Sequence, residues 1–106
     1  MAWIWLGIAI VCEISGTLML KASEGFSKFW PSIGVVAGYG AAFVLMAKSL
    51  KTIDVGITYA IWSGVGIIGA AIGGILFFNE DLTKLNILGM AVIVAGVVVM
   101  NLGGVR

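Results

Sequence analysis

Histidine is absent from this 106-residue chain, which excludes a histidine-based metal site or catalytic triad. The one cysteine, Cys12, cannot form an intrachain disulfide, and inside an apolar run it reads as a small buried side chain. Charge is equally scarce. Asp, Glu, Lys and Arg make up 10% of the residues, against about a quarter in an ordinary soluble domain. So few charges cannot cover a soluble globule of this size. A soluble enzyme is therefore excluded, no residue pattern resembles an activated nucleophile, and nothing calls for a metal or a cofactor. The net charge of +1 is too small to point to nucleic acid or an anionic surface as a partner.

What the chain has in abundance is apolar surface: 61% of its residues and a mean hydropathy of +1.18. Charges and turn residues cut it into four runs, approximately 3–22, 30–50, 55–78 and 85–102. Each approaches the roughly 20 residues a helix needs to cross about 30 Å of hydrocarbon. Helices satisfy their backbone hydrogen bonds internally, whereas an open sheet in lipid cannot, and the runs lack the alternation of a barrel strand. The one proline, Pro31, falls in the first turn of the second run, where amides lack helical partners anyway. No cleavable leader is evident, because the first run contains Glu13 and lacks a basic flank. The expectation is an all-α, four-helix transmembrane bundle forming a single domain over residues 1–106.

Four spans place the N-terminus, second loop and C-terminus on one side of the membrane and the other two loops opposite. Lys48, Lys51 and Arg106 then face Lys21, Lys28 and Lys84. Most helical membrane proteins carry a cytoplasmic excess of Lys and Arg that sets their orientation, and this chain has none. We read this as insertion both ways up, permitting an antiparallel homodimer analogous to the inverted repeats of duplicated transporters. A single orientation set by subtler cues is the alternative.

Glu13 lies ten residues after Trp3 and eight before Lys21, hence roughly 12–15 Å from either end of its helix. A glutamate at that depth is too short to reach the interface. An ionisable group there is costly and functional by default, although a protonated acid bonded across helices would be a purely structural use. An acid withdrawn from water favours its neutral form, and two copies in a homodimer would titrate as a coupled pair. Such a pair can hold protons and release them when a cation arrives. Ala9, Ile10, Gly16, Thr17 and Leu20 share the face of Glu13 by three- and four-residue spacing. Small side chains there admit either a bulky ligand or a close helix crossing.

Trp3, Trp5 and Trp30 sit near run ends as interfacial anchors. Tyr39, Tyr59 and Trp62 lie deeper. Tyr39 pairs with Phe43 at i, i+4, and Tyr59 with Trp62 at i, i+3, with Ser63 alongside. Aromatic faces near a carboxylate suit an organic cation, and ordinary helix packing would produce the same spacing. A tyrosine hydroxyl at depth needs a partner, which Glu13 can supply. Gly64 and Gly66 mark a bend in the third helix. Gly34 with Gly38, and Gly69 with Gly73, form small-residue contacts, while Gly89 and Gly96 suggest a dimer seam on the fourth helix.

The Ala9-Ile10…Glu13…Gly16-Thr17 face, the run Lys21 to Phe26, Trp30-Pro31-Ser32 and above all Tyr59-Ala60-Ile61-Trp62-Ser63-Gly64-Val65-Gly66 resemble the small multidrug resistance family of proton-coupled exporters, over essentially the whole chain. The resemblance implies a multi-pass protein of the bacterial inner (plasma) membrane that forms an antiparallel dimer. It implies paired Glu13 carboxylates binding protons or a small organic cation in turn, with Tyr59 and Trp62 contacting substrate and orienting Glu13. Tyr39 and Phe43 would form aromatic walls, Gly64 and Gly66 the bend, and Gly89 and Gly96 the seam. The guanidinium-exporting branch typically carries tryptophan three positions after the glutamate. Gly16-Thr17 here looks instead like the branch exporting quaternary ammonium compounds. Ala42 departs from relatives that often place a serine there. Guanidinium export, half of a heteromeric polyamine exporter and a structural or pore-forming membrane protein remain the alternatives, whereas four spans with Tyr59 and Trp62 argue against a rotor-type proteolipid.

Overall fold

The computed structural model describes residues 1–103; Arg106, counted above among the basic residues, lies outside them. The described residues form four helices and no strand: α1 (Ala2–Ala22), α2 (Phe29–Ser49), α3 (Val55–Phe78) and α4 (Lys84–Leu102). Their limits fall within one residue of those expected from the apolar runs. All four are long and apolar enough to cross a membrane, extending roughly 28–36 Å at 1.5 Å per residue.

The helices group into two compact units, one over Met1–Thr52 and one from Ile53 onward. In the first, three contacts along the helices establish an antiparallel hairpin. Fully buried Ser49 shares its hydroxyl proton between the Leu45 carbonyl of its own helix at 3.1 Å and the Ala2 carbonyl of α1 at 3.2 Å. Gly38 lies against the backbone of Cys12 and Gly16, and Gly34 against Met19. A Cβ at Gly38 would stand only 3.0 Å from the Cys12 carbonyl oxygen and 3.1 Å from Gly16 Cα. Lipid tails are as apolar as the helices, so association relies on close packing rather than hydrophobic burial. The Gly34…Gly38 pair therefore works within the chain, bringing α2 onto α1.

The loop between them turns through three consecutive left-handed residues, Glu24, Gly25 and Phe26. Buried Ser23 organises it, donating its hydroxyl to the Leu20 carbonyl at 2.7 Å and accepting from the Phe26 amide at 3.0 Å. The exposed Lys28–Glu24 pair at 3.4 Å adds little in water.

In the second unit, α3 ends at Asn79, whose short polar side chain tolerates the left-handed conformation. A reciprocal cap opens α4: Thr83 Oγ1 accepts from the Asn86 amide at 3.1 Å, and the Thr83 amide donates to Asn86 Oδ1 at 3.0 Å. Gly64 is buried against Val97 of α4.

Gly38→Leu is expected to destabilise the first unit by about 1–3 kcal/mol, because the neighbouring atoms are backbone and cannot yield. Gly40→Ala, where a Cβ meets nothing within 4 Å, should be neutral or slightly stabilising. Thermal unfolding in detergent, followed by circular dichroism, distinguishes the two.

Candidate functional site

Glu13 is the only acidic residue inside any of the four helices. It is half-buried, and Thr17, one turn further along the same face, donates its hydroxyl to Glu13 Oε1 at 3.0 Å. Thr17 Oγ1 also lies 2.8 Å from the hydroxyl of Tyr39 on α2. A threonine hydroxyl has one proton. With that proton committed to Glu13, Tyr39 must donate to Thr17, so the chain runs Tyr39 to Thr17 to Glu13.

The close crossing of α1 and α2 makes this possible. Gly16 is buried beneath the Tyr39 ring, and a Cβ there would come within 2.9 Å of Tyr39 Cδ1. The small-residue face of α1 thus serves a helix crossing, with Tyr39 seated over Gly16. Ala9 and Ile10, on the same face, are buried, and so is Ala42. Phe43 follows Tyr39 by one turn, its ring centroid 6.5 Å away at a 47° tilt, and is 58% exposed.

The remaining sequence-derived candidates lie in the second unit. Tyr59 is 68% exposed, and Trp62 and Ser63 are partly covered. Gly64 and Gly66 are buried within α3, which runs unbroken through them. On α4 a Cβ added at Gly89 or Gly96 meets nothing within 4 Å, and no residue of that helix is fully buried. Among the described residues, no group of three or more His, Cys, Asp or Glu side chains is placed to hold a metal.

Sequence spacing groups Thr17 with the small residues that open the face and offers Glu13 directly to the tyrosines. In the structure Thr17 stands between Glu13 and Tyr39. Its spacing of four from Glu13 was the available signal, since a hydroxyl one turn from a carboxylate on a helix is within bonding reach.

A family profile described as Small Multidrug Resistance protein matches residues 1–93. The multidrug resistance protein EbrB of Bacillus atrophaeus is 48% identical over 98 residues, covering 92% of this chain and 84% of the relative. The multidrug transporter EmrE of Escherichia coli is 47% identical over 100 residues, covering 94% and 91%. The quaternary ammonium compound-resistance protein QacE of Escherichia coli is 46% identical over the same shares.

Thr17→Val and Tyr39→Phe should not be additive, because each breaks the same chain of hydrogen bonds. A double-mutant cycle on thermal stability is expected to give a coupling of about 0.5–1.5 kcal/mol, with Thr17→Ser close to wild type. Strict additivity would mean that the two hydroxyls act separately.

Proposed function

The chain belongs to the small multidrug resistance family, and from that membership and the placement of Glu13 we infer that it is a proton-coupled antiporter exporting lipophilic organic cations such as quaternary ammonium compounds. Its curated relatives are named as multidrug transporters and quaternary ammonium resistance proteins. It is a transporter rather than an enzyme, in the bacterial inner membrane with several spans. The observation that carries the mechanism is the solitary carboxyl half-way along α1, held by Thr17 at 3.0 Å.

Two copies inserted in opposite senses form an antiparallel homodimer, each a single four-helix domain. Its two Glu13 carboxyls hold protons in one state and the cation in the other. A cation arriving between two acids stabilises their charged forms, so protons leave; protonation removes that attraction, so the cation leaves. Tyr39, Phe43, Tyr59 and Trp62 supply aromatic faces for the cation, with Ser63 beside them. Ala9, Ile10, Gly16 and Thr17 form the small-residue wall around the acid. Gly64 and Gly66 let α3 change shape, and the open face at Gly89 and Gly96 is the seam. The balance of basic residues between the two sets of loops supports the dual insertion.

Gly16 favours the quaternary ammonium reading over guanidinium export. The tryptophan typical of the latter would have to occupy the place where even a Cβ meets the Tyr39 ring at 2.9 Å.

Reconstituted protein under an imposed pH gradient is expected to accumulate a quaternary ammonium dye and to release protons when the dye binds. Glu13→Gln should abolish both while helicity and insertion stay intact. Movement of guanidinium or a polyamine alone would reassign the substrate, and unchanged flux in Glu13→Gln would favour a pore. For topology, single cysteines placed in each loop of a Cys12→Ser background should label about equally from both sides of the membrane. Labelling of each loop from one side only would rule out the antiparallel dimer.

A further inference from the structure

The net charge of +1 conceals a local excess at one end of the first unit. Where α1 begins and α2 finishes, a recess of about 440 Å³ is lined by Trp3, Trp5, Lys48, Lys51 and Thr52 among others. Three features give it the character of a built site. The Lys48 ammonium lies 4.9 Å from the centroid of the Trp5 ring, so an indole face holds it. Among the described residues no carboxylate lies within ion-pair distance of Lys48 or Lys51. The Ser49–Ala2 hydrogen bond ties the two helix ends together, which keeps indoles and lysines in register.

Lys48 has an ordinary use as a cation in the last turn of α2, where the helix dipole favours it. That does not account for Lys51, which lies beyond the helix, or for two indoles converging on the same recess. The first turn of α1 has no side-chain cap, and its unpartnered amides face this end of the unit.

We propose that this recess binds the phosphate of an anionic phospholipid headgroup. Lys48 and Lys51 engage the phosphate, and Trp3 and Trp5 lie against the glycerol and the first acyl carbons. The shared chemistry is that of any phosphate; the position selects the lipid. Ends of spanning helices stand at headgroup depth, indoles concentrate there, and lysines near an anionic leaflet gain affinity from it.

Native mass spectrometry of the full chain in detergent, titrated with phosphatidylglycerol or phosphatidylcholine, tests the proposal. Wild type is expected to retain the anionic lipid roughly ten- to thirty-fold better, the gain implied by two lysines near an anionic surface. Lys48→Gln/Lys51→Gln should bring the two lipids near parity, and Lys48→Arg/Lys51→Arg should restore the preference. Lys51→Gln alone, expected to be intermediate, serves should the double variant misfold by circular dichroism. Equal retention by wild type, or an unchanged preference in the glutamine variants, overturns the proposal. So does displacement of the lipid by inorganic phosphate at equal concentration, which would identify a free-phosphate site. Glu13→Gln should keep the lipid preference whether or not it abolishes transport, so the headgroup site and the export reading fail independently.

Discussion

The near-contact of two backbones at Gly16 and Gly38 is the constraint on which the site depends. In water, a helix pair could be held by burying leucines, and its spacing could relax by an ångström without much loss. In lipid that driving force is missing, so van der Waals contact and interhelical hydrogen bonds must suffice. Glycine at both positions lets α2 approach until a Cβ at Gly38 would touch the backbone of α1. At that spacing the Tyr39 ring lies against Gly16 with its hydroxyl 2.8 Å from Thr17.

The hydrogen-bond chain has a direction, and the direction has a consequence. Tyr39 donates to Thr17 and Thr17 donates to Glu13 Oε1, so both hydroxyl protons point toward the acid. The Glu13 side chain is thus fixed by a hydroxyl that is itself held by Tyr39 across the helix pair. Ala42, fully buried and one residue before Phe43 on α2, contributes no hydroxyl to this chain, which is built from Thr17 and Tyr39.

Helix limits were legible because each is marked by a local feature: Lys21 in the last turn of the first with Ser23 just after it, Pro31 at the start of the second, Asp54 before the third, Thr83 before the fourth. Glu13 was legible for the same reason, being an acid in the middle of an apolar run. The Tyr39–Thr17–Glu13 chain was not, because it depends on the register of α2 against α1, which the Gly34…Gly38 spacing hints at but does not determine. Spacing alone left those glycines free to pair with another chain, whereas the structure uses them internally against Met19, Cys12 and Gly16. The lysine–indole recess was hidden for a similar reason. Trp5 and Lys48 are far apart in sequence, and only an antiparallel hairpin with its ends tied by Ser49 brings them together.

The case for a second copy cannot rest on exposed apolar surface. Large hydrophobic side chains are exposed along all four helices, and lipid satisfies every one of them, so α4 with no fully buried residue is not in itself an incomplete interface. The stronger ground is electrostatic: one chain places a single acid within a spanning helix, and the proposed exchange of protons for a cation calls for two. The chain has no second acid of its own within a helix, and its evenly divided basic residues give the membrane no reason to forbid the opposite insertion that would bring one.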